Sequence, residues 1–351
     1  MVDRQNIGSN SESFVNSLAE NIRTIVTDGR RIVASSVNRE LIITYWSIGK
    51  EIVQSETKNG IDAQSSRQLI LSLSKRLTLD VGRGFSRTNL FTMRKLYMDY
   101  SDVQTLSGQL SWSHLSELLT IEKKEKRSFY EKETVNSGWS VRELKRQIDS
   151  SLYERLLLSD GKSNKEQVLR LSRDGQELVQ PEDVLKDPYV FEFLGIPETR
   201  PIQEKELEQR LIRHIEDFLL ELGKGFMFVG SQQRITINNT HFYVDMVFYN
   251  KVLRCYILIE LKTTKLKISD AGQLNTYLNY YNIEVNEPSD NPPIGIVLCA
   301  EKDEIAAEYI LGGLENKVFA SKFTYVLPNK DELEKQLERA LLDDGKNRKE
   351  R

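Results

Sequence analysis

The sequence predicts a multidomain protein in which an all-α N-terminal domain is followed by an α/β domain. Over the first 158 residues, apolar side chains such as Leu18, Ile22 and Ile25 recur at the spacing of an amphipathic helix. From about residue 226 onward, runs rich in β-branched and aromatic residues alternate with helical stretches, as in an α/β domain. A chain of 351 residues is also long enough for about two domains.

Composition indicates an ordinary soluble, cytoplasmic protein and argues against several classes of function. No apolar run approaches the roughly 18 residues that a membrane helix needs, and the first ten residues lack the apolar core of a signal peptide. Both cysteines, Cys255 and Cys299, fall in predicted strands, as expected for buried, reduced thiols. With only three histidines and no Cys/His cluster, a structural zinc site is not expected.

Charge is distributed unevenly along the chain. Residues 1–160 carry 23 Lys+Arg and 20 Asp+Glu, so their net charge is +3. Because the whole chain has a net charge of −3, the remainder carries −6. The N-terminal half is therefore the better candidate for contact with a polyanion.

The residue pattern also gives domain limits. It divides the chain into a helical domain (11–158), a polar linker (159–186) and an α/β domain (187–345). Residues 11–56 are predicted to form two helices, with a break near Gly29 or Ser36. Ser140 and Glu143 form the pattern of a capping box, and one long helix is predicted to follow them.

A cluster of basic residues lies in and after a glycine-containing turn of the helical domain. Ser86 is the predicted N-cap of the helix that follows this turn. The candidate nucleic-acid contacts of this cluster are Arg83, Arg87, Arg94 and Lys95, and Lys75 and Arg76 precede the turn. A helix–turn–helix with a basic second helix is one way of binding nucleic acid, whereas an ordinary solvated helix face is the alternative.

The most informative stretch covers residues 241–262 and predicts two β-strands joined by a tight turn. Because side chains alternate between faces along a strand, Glu260 and Lys262 share one face. If the hairpin closes around residues 252–253, Asp245 lies directly opposite Glu260, with their Cβ atoms about 5 Å apart. Two carboxylates and a lysine on a half-buried face are costly unless something binds there, and a divalent metal ion would remove that cost.

The C-terminal half resembles the PD-(D/E)XK nuclease superfamily in the order of its elements and in its motif. The predicted order is α-β-β-β-α-β, with Asp245 on the second strand and Glu260-Leu261-Lys262 on the third. Glu208 lies on the preceding helix, where the superfamily often has another acid. Gln273 and Tyr277 on the following helix match the QxxxY pattern of its RecB-like branch. The resemblance implies a restriction-endonuclease-like α/β fold.

From about residue 14 to 328 the chain also resembles the bacterial YhcG-like proteins, which join a helical N-terminal domain of unknown function to such a nuclease domain. The sequence segments that carry this resemblance are specific to the family in combination. They are GRGFSRTNLFTMRKLY (82–97), LSWSHLSELL (110–119), WSVRELKRQI (139–148), DPYVFEFLG (187–195), FLLELGKGFMFVG (218–230), DAGQLNTYLN (270–279) and PPIGIVLCAEKDE (292–304). The chain does not depart from the pattern at the catalytic positions.

The resemblance implies metal-dependent hydrolysis of phosphodiester bonds, with a role for each motif residue. Asp245 and Glu260 are the expected Mg²⁺ or Mn²⁺ ligands, with the Leu261 carbonyl as a third and Glu208 binding directly or through water. Lys262 is expected to orient or help deprotonate the attacking water, or to stabilise the phosphate. The alternative is an ordinary salt bridge between Glu260 and Lys262 on a strand without catalytic function.

Other residues of this half have implied roles that are less specific. Gln273 is expected to hydrogen-bond a phosphate, the water or the motif lysine, and Tyr277 to steady Gln273 or stack on a base. Helix packing is the alternative for both. Arg234 on the first strand is a candidate phosphate contact. Because Glu204 and Glu206 flank the helix acid, that acid could also lie one turn away.

The sequence therefore predicts a cytoplasmic, Mg²⁺-dependent nuclease with DNA favoured over RNA as substrate, acting in repair, restriction or defence. The alternative is a nucleic-acid-binding or assembly protein whose nuclease core is inactive or active only with a partner. By analogy with the superfamily, a homo-oligomer is expected. Substrate structure, sequence preference and endonuclease versus exonuclease action are left open.

Overall fold

The computed structural model describes residues 6–103, 108–159, 165–197, 200–314 and 316–347. The chain divides into two compact units, Met1–Glu122 and Lys123–Arg351. The predicted fold class is confirmed, because a helical region precedes a mixed α/β domain built on a six-stranded sheet. Among the helices of these ranges, none combines the length and the apolar composition that crossing a bilayer requires.

The first unit is helical. The helices among its described residues are α1 (Asn6–Lys58), α2 (Ala63–Asp80), α3 (Arg87–Asp99) and α4 (Trp112–Leu118). The predicted break near Gly29 or Ser36 is wrong, because α1 runs through both positions as one helix of 53 residues. A glycine costs a helix only about 1 kcal/mol relative to alanine, and α1 contains no proline. Neither residue is therefore able to end it.

The core of the first unit lies where α1 and α2 pack against α3. Gly49 allows α1 to approach α3 closely, since a Cβ atom at this position would lie 2.0 Å from the carbonyl oxygen of Met93. The predicted N-cap is confirmed, because the Ser86 hydroxyl accepts a hydrogen bond from the Asn89 amide at 3.2 Å. The buried apolar residues of this core are Ile52, Ile70, Leu90 and Met93.

In the part of the chain that the structure describes, four helices begin the second unit. They are α5 (Lys124–Ser137), α6 (Val141–Asp149), α7 (Leu152–Ser159) and α8 (Lys165–Asp174). The capping box of Ser140 and Glu143 is confirmed at the start of α6. The single long helix predicted after it is wrong, because Ser150 and Ser151 separate α6 from α7 and Ser151 has a φ of 55°. Serine side chains compete with a helix for backbone hydrogen bonds, and the Ser150 hydroxyl here donates to the Gln147 carbonyl at 3.3 Å.

Six strands form one mixed sheet. They are β1 (Tyr189–Val190), β2 (Phe226–Ile237), β3 (Thr240–Asn250), β4 (Cys255–Lys265), β5 (Ile294–Glu301) and β6 (Lys317–Thr324). Their order across the sheet is β1-β6-β5-β4-β3-β2. The pairs β2–β3 and β3–β4 are antiparallel, whereas β4–β5, β5–β6 and β1–β6 are parallel. A bulge between Phe228 and Gly230 shifts the register of β2 against β3.

Helices cover both faces of the sheet. They are α9 (Glu204–Arg213), α10 (Ile215–Leu222), α11 (Ile268–Tyr280) and α12 (Glu304–Leu311). The last helix, α13 (Lys330–Asn347), packs against α7 instead. One apolar cluster includes Leu211 of α9 and Phe248 of β3, and the other includes Leu274 of α11 and Leu258 of β4. The elements from α9 to β5 thus follow the predicted order, with the first helix divided at His214.

A buried ion pair joins α7 to α10. The Arg155 Nη1 and Glu221 Oε1 atoms lie 2.5 Å apart, and both side chains are 0% exposed. Glu221 Oε1 also accepts a hydrogen bond from the Val190 amide of β1 at 3.0 Å. One carboxylate therefore connects a helix of the predicted N-terminal domain with a helix and a strand of the α/β domain.

Packing places the boundary between compact units earlier than the linker expected at 159–186. That segment contains α8, which packs against α5 inside the second unit, and its residues 160–164 lie outside the described residues. The Gln176 amide donates a hydrogen bond to the buried Glu133 carboxylate at 2.6 Å. The division into domains 11–158 and 187–345 stays a prediction. Packing groups α5–α8 with the sheet rather than with α1–α4.

Candidate active site

The β3–β4 hairpin has the predicted register. Met246 pairs with Ile259, so the same register places Asp245 opposite Glu260. The Asp245 Oδ2 atom accepts a hydrogen bond from the Leu261 amide at 2.9 Å, and the Asp245 amide donates to Glu260 Oε1 at 3.3 Å. The two carboxylates therefore lie side by side on adjacent strands.

Lys262 joins these acids from the same strand. Its Nζ atom lies 3.6 Å from Glu260 Oε2 and 3.5 Å from Glu204 Oε2, at the start of α9. The Glu260 side chain is 2% exposed, whereas that of Glu204 is 42% exposed. The lysine thus connects a buried strand acid to a solvent-facing helix acid.

Gln232 on β2 is a site residue that sequence reasoning missed. Its Nε2 atom donates to Glu208 Oε2 at 2.8 Å and to Asp245 Oδ1 at 3.2 Å. The backbone of Gln232 has a φ of 48°, in the left-handed region that residues other than glycine rarely adopt. Gly230, two residues earlier in the same strand, is the kind of residue that marks an irregular strand backbone, but it does not identify the Gln232 side chain.

The three acids at the start of α9 have different partners. Glu208 reaches Gln232, and Glu204 reaches Lys262. Glu206 instead pairs with Arg210 at 2.9 Å, on the other side of the helix. The position of the helix acid expected at Glu208 therefore agrees with the geometry, and Glu204 contributes a second carboxylate one turn earlier.

Gln273 and Tyr277 of α11 lie against the same carboxylates. The Gln273 Nε2 atom donates to Glu260 Oε2 at 3.3 Å and to the Tyr277 hydroxyl at 2.7 Å. The spacing of four residues places both side chains on one face of the helix, one turn apart. The structure thereby brings together all six residues that the sequence assigned to catalysis.

The electrostatics of the site disfavour negative charge. Burial, followed by the Asp245 carboxylate, raises the pKa of Glu260 to about 8. Burial also raises the pKa of Asp245, and burial followed by the Asp245 charge raises the pKa of Glu208. Burial opposes the charge of Lys262, but the neighbouring carboxylates, above all Glu260, raise its pKa. Crowded carboxylates of this kind are stabilised by a bound cation.

The donor atoms fit a magnesium or manganese ion. Over the described ranges, no group of three or more His, Cys, Asp or Glu side chains has the arrangement of a metal site. Magnesium nevertheless needs only one or two protein carboxylates, because it keeps several of its water ligands. Asp245 and Glu260 are two such carboxylates, and Glu208 shares the Gln232 amide with Asp245.

Two of the basic residues expected to bind nucleic acid have partners inside the first unit. Arg94 Nε donates to Glu56 Oε2 at 2.8 Å, and the Glu56 carboxylate is almost fully buried. Lys95 Nζ donates to the Leu119 carbonyl at 2.6 Å. Both cations therefore contribute to the packing of α3.

The other three basic candidates face solvent. Arg83 is exposed in the turn between α2 and α3, and Arg87 is exposed at the start of α3 with its guanidinium 5.8 Å from the Phe91 ring centre. Arg234 is exposed on β2, two residues after Gln232. These side chains are accessible to a polyanion.

Comparison with known proteins matches both parts of the chain. Residues 21–155 match the DUF1016 N-terminal domain, and residues 182–338 match the YhcG PDDEXK nuclease domain. The chain is 40% identical over 359 residues to YhcG of Escherichia coli (strain K12), an alignment that covers 93% of this chain and 94% of that protein.

Two solved structures show a weaker likeness. They are a repair endonuclease from Pyrococcus abyssi and EndoMS in its apo form, each 16% identical with a TM-score of 0.25. The alignments cover 36% and 38% of this chain and 49% of each of those chains. A likeness of this size carries no weight for fold or function, so the family rests on the two domain models and the bacterial relative. The chain belongs to the YhcG family, in which a DUF1016 N-terminal domain precedes a PD-(D/E)XK nuclease domain.

Proposed function

We propose that this chain is a Mg²⁺-dependent nuclease that hydrolyses phosphodiester bonds in DNA, in the cytoplasm, as part of repair, restriction or defence. The observation that supports this most is the convergence of Asp245, Glu260 and Lys262 on one face of the β3–β4 hairpin. Glu208 and Gln273 reach the same point from the flanking helices through hydrogen bonds. Hydrolysis of a phosphodiester needs such a set, with acids to bind a cation and donors to face the phosphate.

Asp245 and Glu260 would hold the metal ion, together with the Leu261 carbonyl and with Glu208 directly or through water. A bound Mg²⁺ or Mn²⁺ would lower the pKa of a water molecule and offset the charge that builds on the phosphate oxygens. The raised pKa values of the three carboxylates support this assignment, because a cation bound beside them would stabilise their ionised forms.

Lys262 acts as a donor to the attacking water or to the phosphate. Its raised pKa supports this role over that of a base, because the carboxylates keep the ammonium group charged. An ammonium group offers three hydrogen-bond donors, so that it is able to contact Glu260 and a substrate oxygen together. The contact with Glu204 further restricts the position of the Lys262 ammonium group.

Gln273 orients the Glu260 carboxylate, and Tyr277 holds the Gln273 side chain in place. The Tyr277 side chain is 3% exposed, which supports a positioning role over stacking on a base. Its hydroxyl accepts the Gln273 hydrogen bond, so the carboxamide is directed toward Glu260.

The substrate would be bound in part by exposed arginines. Arg83 and Arg87 face solvent in the first unit, and Arg234 faces solvent on β2. Arg94 and Lys95 add positive charge beside the turn while they pack α3. Phosphate contacts of this kind give affinity without sequence preference, and that affinity falls as salt concentration rises.

Cleavage assays with the full chain test the proposed function. Linear and branched duplex DNA, single-stranded DNA and RNA are incubated with Mg²⁺, Mn²⁺ or EDTA, beside Asp245→Asn and Glu260→Gln. We expect cleavage of DNA that EDTA abolishes and that both variants lose, because each removes a charged ligand oxygen. Glu206→Gln is the matched control, since its carboxylate pairs with Arg210 outside the site.

If wild type and both variants retain the same trace activity, the enzyme assignment fails. Binding of nucleic acid without cleavage by the wild type would instead favour a binding or assembly protein. Preferential cleavage of RNA would contradict the DNA assignment while leaving the metal chemistry in place.

Gln232 is expected to set the metal affinity by holding Glu208 and Asp245. Gln232→Gly removes the carboxamide and also relieves the left-handed backbone, so the variant should be no less stable than the wild type. We expect its affinity for Mn²⁺, measured by calorimetry, to fall about 10–100-fold, as when other supporting hydrogen bonds of metal ligands are lost.

Gln233→Gly is the control for this substitution, because the Gln233 side chain contacts only the Ser231 carbonyl in the hydrogen-bond pattern of the described residues. A stable Gln232→Gly protein with unchanged metal affinity would show that the carboxamide does not position the acids.

A further inference from the structure

The N-terminal part of α1 carries an apolar stripe on an exposed helix. Between Val15 and Val37 no described residue is buried, whereas packing begins at Asn38, which donates to the Leu110 carbonyl at 2.8 Å. Ile25 is 70% exposed and Ile32 is 64% exposed. Exposed apolar side chains that follow one another along a helix mark an interaction site.

The stripe follows a heptad repeat. With Val15 at position a, the a positions are Val15, Ile22, Gly29 and Ser36. The d positions are Leu18, Ile25 and Ile32. Val26 and Val33 fall at e and widen the stripe on one side. Apolar residues at a and d that repeat every 3.5 residues favour a left-handed coiled coil between helices.

The charged residues of this segment permit pairing with an identical helix. Two acids, Glu20 and Asp28, stand against Arg23, Arg30 and Arg31, so two copies would not strongly repel each other. Arg23 pairs with Glu20 at 3.3 Å and Arg31 with Asp28 at 3.0 Å within the helix. A helix that lies on a lipid surface instead carries a polar face rich in Lys and Arg.

Gly29 permits close approach of a second copy of the helix. Gly29 occupies an a position where an added Cβ atom would meet no described atom within 4 Å, so a second helix is able to approach closely there. A stripe of apolar residues is complementary to its own copy, because equivalent residues meet across a two-fold or higher symmetry axis. No second sequence is needed to cover it.

We propose that the stripe from Val15 to Ile32 is the self-association surface of this protein and pairs with the same stripe of a second copy. The proposal specifies the homo-oligomer expected for this nuclease, but it does not depend on the chemistry at Asp245 and Glu260. The pairing would bring two or more chains together through α1 and would bury the exposed isoleucines and valines.

The test is the mass of the full chain in solution, measured by sedimentation and light scattering over a range of micromolar concentrations. We expect a multiple of the 40.6 kDa chain mass. In the double variant Ile25→Glu/Ile32→Glu, charges at two d positions should raise the dissociation constant at least about 100-fold, since they would be buried without partners. The matched control is Thr27→Glu/Ala34→Glu, which places the same charges at f positions on the opposite face.

A wild type that stays monomeric throughout, or a d-position variant that keeps the wild-type mass, would overturn the proposal. Binding of a monomeric wild type to anionic phospholipid vesicles, lost in Ile25→Glu/Ile32→Glu, would assign the face to a membrane surface instead. Lys262→Met should keep the wild-type mass. The failure of self-association and the failure of nuclease activity are therefore distinguishable.

Discussion

Lys262→Met is expected to lower the rate of Mg²⁺-dependent cleavage about 10²–10⁴-fold, the range found for a single positioned proton-transfer or charge-stabilising group. Methionine keeps the apolar length of the side chain but removes the ammonium group that contacts Glu260 and Glu204. The measurement is the single-turnover rate at saturating protein. We expect Mn²⁺ affinity to persist, because Asp245 and Glu260 remain.

Lys265→Met is the matched control for this substitution. Lys265 lies three residues further along β4, where its side chain is 55% exposed and 3.7 Å from Asp303. We expect its loss to affect substrate affinity at most, and to leave the rate of the chemical step close to that of the wild type. Equal losses of single-turnover rate in the two variants would indicate that Lys262 contributes only general positive charge.

The hairpin could be predicted because two local rules determine it. Alternation along β4 places Glu260 and Lys262 on one face, and the polar turn that begins at Lys251 sets which residues pair. The structure gives the pairing that these rules predict, with Asp245 opposite Glu260. The helix residues Gln273 and Tyr277 followed from spacing and resemblance, and their hydrogen bonds agree with both.

Other parts of the site depend on contacts that no local pattern encodes. Gln232 reaches two acids only because its backbone adopts a positive φ after a bulge, which a glutamine in a strand does not indicate. Glu204 meets Lys262 through the placement of α9 against β4, which is tertiary packing. The continuity of α1 through Gly29 has a different cause. A glycine weakens a helix but does not by itself end it.

Glu221→Ala is expected to destabilise the second unit by about 3–5 kcal/mol, the usual cost of leaving a buried charge without its partner. Arg155 is the partner that would remain, and it is fully buried. The Val190 amide would also lose its acceptor. The measurement is the free energy of unfolding from urea denaturation, followed by circular dichroism.

Glu216→Ala on the same helix is the control, because Glu216 is exposed and its loss should change the free energy of unfolding by less than about 0.5 kcal/mol. Burial opposes the ionisation of Glu221, but Arg155, Lys186 and Arg146 prevail and lower its pKa. The stabilisation is therefore fully present above the ordinary glutamate pKa of 4.5 and is lost as the pH falls through the lowered pKa of the folded protein. Equal destabilisation by both substitutions would contradict the buried pair.

The double variant Glu221→Met/Arg155→Met separates the cost of an orphaned charge from the net contribution of the pair. Both side chains are 0% exposed, so folding removes both charges from water, and their attraction offsets that loss only in part. We therefore expect the double variant to be more stable than Glu221→Ala, because the Arg155 charge is no longer left buried without its carboxylate. Arg146 keeps its pair with Glu192, and Lys186 keeps its hydrogen bond to the Glu221 carbonyl. If it is instead as unstable as the single variant, the hydrogen bond from the Val190 amide to Glu221, rather than the charge pair, is what holds β1 to α10.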